Sequence, residues 1–189
     1  MDNLAYRDEM RYEYIHGVPV AMSPRPATNH TLVSFNIGRI FADFFKGKSC
    51  TAFPDGVDVH LDDDNWVIPD AMIVCDRSII KQDGVYGAPD LIVEILSPST
   101  AKRDKSEKKD LYEKHGIKEY WIVDTANRSI EVYLLKDGQY KLDNVYSIYP
   151  DYLLKNMTDE EKSAIVMEFH PSEFPEMTVS LNDVFDGLI

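Results

Sequence analysis

The sequence predicts an α/β (α+β) fold in which a central β-sheet is flanked by helices. Two apolar runs, at residues 67–74 and 89–100, are typical of strands that are buried on both faces. Residues 28–46 repeat apolar side chains at helical spacing, and Gly47 ends this helix. The order along the chain is then helix, three strands, helix and strand, which indicates a sheet covered by helices.

The remaining elements follow from shorter patterns. Residues 11–17 are predicted to form a helix end or a turn, and a second long helix runs from Ala101 to His115. A hairpin is predicted around Lys136-Asp137-Gly138, because Asp-Gly favours a tight turn. The other predicted elements are strands at residues 18–22, 51–61, 119–124, 165–169 and 177–179, the hairpin strands at 128–135 and 139–147, and a helical turn at 181–185.

Length and composition favour a single globular domain over residues 1–189, without an internal repeat or a Gly-, Ser- or Pro-rich linker. No apolar run is long enough to span a bilayer, and the charged N-terminus lacks the apolar centre of a signal peptide. We therefore expect a cytoplasmic protein with no membrane partner. In that compartment Cys50 and Cys75 are expected to be reduced thiols.

The formal net charge of −13 argues against general affinity for nucleic acid, because phosphates are neutralised by Lys and Arg. The charge is uneven, however, since residues 102–118 contain seven basic and four acidic side chains. This segment could form a local basic surface on an acidic protein, or equally a solvated helix face.

Each of the two apolar runs contains one acid near its middle, Asp70 in the first and Glu94 in the second. A buried ionised carboxylate is costly unless a cation or hydrogen-bond donors meet it. Two neighbouring strands that each carry an inward acid can bring two carboxylates to one point, which suits Mg²⁺ or Mn²⁺. The alternative is that these acids point to solvent or pair with Arg or Lys.

Two further side chains are candidates for a role at this point. Lys108 shares a helix face with Leu111 and Tyr112, so it would lie on the side that packs against the sheet. The alternative is that its amine reaches water along its aliphatic stem. His30 falls in the first turn of the first helix, where an isolated histidine is more often a surface or capping residue than a catalyst.

Motifs along nearly the whole chain resemble the Uma-type putative restriction endonuclease family of the PD-(D/E)XK nuclease superfamily. The matching stretches are residues 12–17 (YEYIHG), 22–24 (MSP), His30, Pro69-Asp70, 93–100 (VEILSPST), 103–105 (RDK) with Glu107-Lys108, Leu111-Tyr112, 119–124 (EYWIVD), Phe174-Pro175 and Thr178-Val179. The resemblance implies a restriction-endonuclease-like core with a central mixed sheet and a C-terminal hairpin extension.

The chain departs from the general nuclease pattern at one position. That pattern has a lysine two residues after the second acid, where this chain has Leu96. The resemblance implies that Lys108 of the following helix supplies the ammonium instead, with Lys102, Lys105 and Lys109 as substitutes. The chemistry needs a cation near the attacking water and the phosphate, not a fixed place in the sequence.

The resemblance also implies the roles of the site residues. Asp70 and Glu94, with the Ile95 carbonyl, would hold Mg²⁺ or Mn²⁺. Glu13 matches an acid that often completes such sites, as a metal or water ligand. Lys108 would orient the attacking water or offset charge on the phosphate. His30 and Asp104 would orient these groups by hydrogen bonding, without binding the metal themselves.

The expected function is therefore metal-dependent hydrolysis of phosphodiester bonds in nucleic acid, with DNA as the expected substrate. A homodimer would be compatible with cleavage of both strands. One rival is a non-catalytic module on the same fold that binds nucleic acid or protein. A second rival is an assembly protein that pairs through the edge of the C-terminal hairpin. The tyrosines that would take part are Tyr133, Tyr140, Tyr146 and Tyr149.

Overall fold

The computed structural model describes residues 11–22 and 25–189. Its strands are β1 (Tyr12–Ile15), β2 (Val18–Ala21), β3 (Thr51–Pro54), β4 (Val59–Asp62), β5 (Asn65–Val67), β6 (Ala71–Val74), β7 (Val85–Tyr86), β8 (Leu91–Ile95), β9 (Glu119–Asp124), β10 (Ser129–Lys136), β11 (Gln139–Ser147), β12 (Glu168–Phe169) and β13 (Val179–Ser180). Its helices are α1 (Thr28–Phe45), α2 (Ala101–Asp104), α3 (Glu107–Lys114), α4 (Asp151–Leu154), α5 (Asp159–Ser163) and α6 (Leu181–Val184).

The central sheet has the strand order β11-β10-β9-β8-β6-β3. Strands β8 and β9 run parallel, whereas the other neighbouring pairs are antiparallel. The sheet is therefore mixed, and the predicted fold class is confirmed. All of β8 and five of the six residues of β9 are buried, which explains why both strands read as continuous apolar runs.

Helices cover both faces of this sheet. On one face α1 buries Val33, Ile37 and Phe41 in a cluster that includes Trp121 of β9. On the other face α3 buries Leu111 in a second cluster, together with residues of β8 and β9. The helical spacing of the apolar residues in α1 therefore reflects a stripe that packs on the sheet.

A second sheet has the order β2-β1-β5-β4-β7. Residues 12–15 form a strand where a helix end or a turn was predicted, and the turn follows at His16-Gly17. Both turn residues have positive φ, 53° and 72°, as a two-residue hairpin of this kind requires. Along β1 the side chains alternate, so that Glu13 and Ile15 are buried while Tyr12 and Tyr14 are exposed.

Three predicted elements are interrupted in the structure. The single strand predicted over residues 51–61 is wrong, because β3 joins the central sheet while β4 joins the second sheet. The strand predicted through Asp70 is likewise two strands, β5 and β6, separated by Pro69, which has no N–H to donate to a ladder. The helix predicted from Ala101 to His115 breaks between α2 and α3 at Lys105-Ser106.

The C-terminal hairpin forms as predicted, with Asp137-Gly138 between β10 and β11. Three of the tyrosines proposed for assembly contact other parts of the chain. Tyr133 and Tyr140 pack with Tyr120, and Tyr146 stacks on Phe169 at 4.1 Å between ring centroids. These contacts engage three of the four tyrosines, whereas Tyr149 is 38% exposed, and the homodimer stays a prediction.

Cys50 and Cys75 form a disulfide, so the expectation of reduced thiols is wrong for this structure. The two residues flank the paired positions Thr51 and Val74 of β3 and β6, which brings them directly opposite each other. No helix within residues 11–22 and 25–189 is long and apolar enough to cross a membrane. The cytoplasmic location stays a prediction.

Glu119, at the start of β9, links the C-terminal segment to the central sheet by hydrogen bonds. The side chain is fully buried. Its Oε1 accepts a hydrogen bond from Trp121 Nε1 at 2.7 Å, and its Oε2 accepts one from the Ser172 backbone N–H at 2.8 Å. Burial raises the pKa of Glu119 to about 7, in spite of these donors.

This shift predicts how stability depends on pH. The Glu119 pKa is raised from 4.5 to about 7, so the folded state holds the proton more tightly than the unfolded chain does. The resulting contribution to stability is present below the unfolded pKa and is lost as the pH rises through the folded pKa. The free energy of unfolding of the wild type, relative to Glu119→Gln, should fall by up to about 3 kcal/mol between about pH 5 and pH 8.

Urea denaturation of both proteins across this pH range measures the difference. Glu168→Gln is the control, because Glu168 is exposed on β12. A difference between wild type and Glu119→Gln that stayed constant or grew with pH would contradict the assignment.

Candidate active site

Asp70 lies just before β6 and is held against the end of β8. Its backbone N–H donates to the Val93 carbonyl at 3.1 Å. Its Oδ2 accepts a hydrogen bond from the Ile95 N–H at 2.6 Å. These two bonds fix the Asp70 carboxylate beside the backbone that carries Glu94.

Glu94 is buried in β8 and meets two side chains of α3. Lys108 Nζ lies 2.6 Å from Glu94 Oε1, and the Tyr112 hydroxyl donates to the same oxygen at 2.6 Å. Lys108 and Tyr112 are four residues apart and therefore share one face of α3. Burial raises the pKa of Glu94 well above its ordinary value, and Lys108 offsets this only in part. Both bonds end on Oε1, so Oε2 is the oxygen that remains for a ligand.

Lys108 also joins Glu94 to Glu13 of the second sheet. Its Nζ lies 2.7 Å from Glu13 Oε1, and the same oxygen accepts the Ile68 N–H at 3.0 Å. Burial alone would lower the pKa of Lys108, but Glu13 and Glu94 outweigh burial and raise it. Burial likewise disfavours ionised Glu13, yet Lys108 outweighs it and lowers the pKa of Glu13. The amine therefore stays protonated and can act as a cation but not as a base.

His30 contacts Asp70 from the first turn of α1. Its Nε2 lies 3.2 Å from Asp70 Oδ2, and it also hydrogen-bonds to the backbone of Ile95. Burial opposes protonation of His30, but the bond to Asp70 outweighs it and raises the pKa of the imidazole. One turn further along α1, the Ser34 hydroxyl donates to the Asp70 carbonyl at 2.9 Å. The first helix therefore positions Asp70 with two side chains.

Asp104 supplies a buried carboxylate that is only half satisfied. It is 1% exposed, and its Oδ2 has no hydrogen-bond partner in the described part of the chain. Burial raises the pKa of Asp104, while Lys108 and a hydrogen bond from Thr100 offset part of the shift. A buried carboxylate oxygen without a donor is unfavourable unless a proton or a cation meets it.

The four acids, His30 and Lys108 line one cavity of about 280 Å³. Acids contributed by three different parts of the fold face it, and arginines stand among the other lining residues. The lining includes Glu13, Asp70, Glu94 and Asp104, the side chains of His30 and Lys108, and Arg11, Arg25 and Arg103.

The donor set of this cavity fits a divalent cation of the Mg²⁺ type. Its oxygen donors are five carboxylates, Asp55 in addition to the four above, and they stand among the cationic side chains of Arg11, Arg25, Arg103, Lys108 and His30. Within residues 11–22 and 25–189 no three His, Cys, Asp or Glu side chains are grouped as a metal site. Mg²⁺ usually takes one or two carboxylates from a protein and keeps several waters. Asp70 and Glu94, with the Ile95 carbonyl, are the residues that would hold it.

The structure brings the sequence-predicted site residues together around this cavity. The substitute lysines lie elsewhere, since Lys105 pairs with Glu131 and Lys109 lies over the Tyr133 ring. Tyr112, treated from sequence as a packing residue, donates directly to Glu94. Its position four residues after Lys108 was the signal that could have revealed it. The part played by Ser34 had no sequence signal, because it depends on how α1 meets β6.

The model of the Uma2 family, described as putative restriction endonuclease, matches residues 2–159. The chain belongs to the Uma2 family. This Uma2 protein is 27% identical over 133 residues to the uncharacterized protein slr1290 of Synechocystis sp. (strain ATCC 27184 / PCC 6803 / Kazusa), covering 69% of this chain and 70% of that protein.

The Uma2 fold also occurs among solved structures. The crystal structure of a putative nuclease belonging to DUF820 from Anabaena variabilis matches with a TM-score of 0.69 and 21% sequence identity. The match covers 94% of this chain and 90% of that one. At this level of identity the likeness establishes the fold alone, a mixed central sheet flanked by helices.

Removal of the Lys108 charge tests whether this amine is the cation that stabilises buried Glu13 and Glu94 in this Uma2 protein. Lys108→Met leaves Glu13 and Glu94 buried without their cation, so we expect it to lower the free energy of unfolding by about 3–5 kcal/mol. Lys114→Met, at an exposed position of the same helix, should change it by no more than about 0.5 kcal/mol. Urea denaturation at neutral pH compares the two variants, and equal stabilities would show that Lys108 is not the cation of the site.

Proposed function

We propose that this Uma2 protein is a metal-dependent endonuclease that hydrolyses phosphodiester bonds of DNA. The observation that carries the proposal is the position of Asp70 and Glu94. Both line one cavity, and Lys108, whose amine stays protonated, contacts Glu94 at 2.6 Å. A carboxylate pair that can hold a divalent cation, with an ammonium beside it, is suited to phosphodiester hydrolysis, because the two cations would offset the charge that grows on the phosphate as water attacks.

The metal would be held by Asp70, Glu94 and the Ile95 carbonyl. When bound, Mg²⁺ or Mn²⁺ would lower the pKa of an attacking water and offset charge on the phosphate oxygens. His30 and Ser34 keep the Asp70 carboxylate in place through its Oδ2 and its backbone carbonyl. Because these bonds use Asp70 Oδ2 and Glu94 Oε1, the carboxylate oxygens left for a cation are Asp70 Oδ1 and Glu94 Oε2.

Lys108 would act electrostatically at the phosphate. Glu13 and Glu94 raise its pKa, which favours a fixed positive charge beside the reacting group over a role as base. Glu13 holds that charge in position through the bond at 2.7 Å. Arg103, which also lines the cavity, adds positive charge that a phosphate could contact.

One observation favours a non-catalytic binding module as a second candidate. Glu94 Oε1 already has two donors, Lys108 and Tyr112, so the buried acid is paired without any metal. In such a module the acids would serve the fold alone. Metal uptake and DNA cleavage are expected of the nuclease and not of the binding module, so they separate the two functions. A homodimer that cleaves both strands would be compatible with the nuclease.

Cleavage of supercoiled plasmid in excess Mg²⁺ or Mn²⁺ tests the nuclease. Asp70→Asn and Glu94→Gln should each reduce the rate by about 100-fold or more, since side chains that merely orient metal ligands typically contribute 10–100-fold. Chelation by EDTA should abolish cleavage by the wild type. Asp63→Asn, in an exposed turn, is the matched control and should keep full activity. Equal rates in wild type and Asp70→Asn would remove Asp70 from the mechanism.

Thermal unfolding tests metal binding independently of activity. A ligand that binds only the folded state, at about 100 times its Kd, stabilises it by about 2.7 kcal/mol. Mn²⁺ should therefore raise the Tm of the wild type and of Asp63→Asn, while Asp70→Asn should show little or no shift. A shift of the same size in all three proteins would place the metal elsewhere, and no shift in the wild type would favour the non-catalytic module.

A further inference from the structure

The outward face of the second sheet carries one continuous row of side chains. The row runs straight across all five strands, because each member lies directly opposite the next in the strand register. Its members are Pro19 of β2, Tyr14 of β1, Trp66 of β5, His60 of β4 and Tyr86 of β7, hereafter the aromatic row.

The rings of the aromatic row contact one another. Tyr14 and Trp66 lie 5.3 Å apart between ring centroids, and Trp66 and His60 lie 4.4 Å apart. His60 and Tyr86 stack with their planes parallel at 4.3 Å. These contacts hold the rings in fixed positions, so the row offers a binding partner a preformed surface at a small loss of side-chain entropy.

The aromatic row is open to solvent. Tyr14 is 37% exposed, Trp66 40% and Tyr86 42%, and Tyr12 beside Tyr14 is 47% exposed. The neighbouring residues along the same strands point inward, as Val59 and Val85 show by their complete burial. A contiguous exposed aromatic surface of this kind is typical of an interaction site.

Carboxylates lie beside the aromatic row. At its β7 end the Tyr86 hydroxyl donates to Asp83 Oδ2 at 3.2 Å, and Asp58 also acts on Tyr86 electrostatically. Asp64, in the turn between β4 and β5, lies beside Gly17 of the turn between β1 and β2. With a net charge of −13 for the whole chain, these acids repel phosphate and another copy of the chain, and they attract a cation.

We propose that the aromatic row docks an arginine-containing basic segment of a partner protein. A guanidinium is planar, stacks on aromatic faces and pairs with carboxylates in two parallel hydrogen bonds, so it matches both features of this surface. Lysine has the same charge without the stacking plane. The site lies on the opposite face of β1 from Glu13, since Tyr14 points outward where Glu13 points inward. It is therefore separate from the cavity of the proposed nuclease.

The two tryptophans of the chain provide the measurement. Trp66 is half-exposed in the aromatic row, whereas Trp121 is fully buried, so acrylamide quenching of tryptophan fluorescence reports on Trp66. The probes are a short Arg-Gly repeat peptide, a Lys-Gly peptide of the same length and charge, and a single-stranded oligo-dT. The arginine peptide should shield Trp66 and bind at least about fivefold more tightly than the lysine peptide.

Two variants separate docking from general attraction between opposite charges. Tyr86→Ala should remove the preference for arginine, and Asp83→Asn should weaken binding of both peptides without loss of the stacking surface. Tyr152→Ala is the control, because Tyr152 is 67% exposed on α4 outside the row. Circular dichroism shows whether each variant folds. If Tyr86→Ala does not fold, the preference of the wild type for the arginine peptide over the lysine peptide, read from the shielding of Trp66, carries the test.

Three results would overturn the proposal. Equal affinity for the arginine and lysine peptides, unchanged by Tyr86→Ala, would leave charge attraction alone. Shielding of Trp66 by oligo-dT in place of the arginine peptide would make the row a nucleic-acid surface. No shielding by any probe would assign the row to cross-strand stabilisation of the sheet.

Discussion

Lys108 connects the central sheet, the second sheet and helix α3 through its ion pairs. Its ammonium is buried between Glu13 of the second sheet and Glu94 of the central sheet, at 2.7 and 2.6 Å. The ion pairs therefore connect both sheets to α3, on which the lysine stands. A buried ion pair often adds little net stability compared with apolar residues of the same size, whereas loss of one partner is severe. The arrangement accordingly constrains sequence and geometry more than it increases stability.

The same arrangement sets the electrostatics of the cavity. Lys108 is protonated because two acids hold it, and it lowers the pKa of Glu13. It cannot also satisfy Glu94 fully, because burial dominates there, nor does it reach Asp104 Oδ2, which has no partner among the described residues. The cavity therefore retains a buried carboxylate oxygen that no cation or donor of the described residues meets. This oxygen, beside the grouped carboxylates of Asp70 and Glu94, is the physical basis for inferring a divalent cation there.

Much of the central sheet could be predicted from the sequence, because strands buried on both faces leave continuous apolar runs. The runs containing Glu94 and Trp121 are β8 and β9, and the acid that interrupts the first of them marks the cavity. The second sheet could not be predicted in the same way. Whether residues 51–61 form one strand or two depends on which sheet accepts each half, and that is decided by contacts distant in sequence.

In the site, likewise, contacts set by local helical spacing could be predicted from the sequence, whereas contacts between distant segments could not. The helical spacing of Lys108 predicted that it faces the sheet, and the structure places its amine there. The contact of Ser34 with Asp70 depends on how α1 packs on the sheet. The row formed by Tyr14, Trp66 and Tyr86 depends on strand register between separate segments. The alternation along β1 does explain how one strand gives Glu13 to the cavity and Tyr14 to the opposite surface.

A metal ion between Asp70 and Glu94 is most directly detected by anomalous diffraction from a crystal of the wild type soaked with Mn²⁺. The predicted result is one strong anomalous peak within coordination distance of a carboxylate oxygen of each residue. A well-soaked crystal with no peak in this cavity, or with a peak that contacts neither carboxylate, would contradict a metal-dependent nuclease.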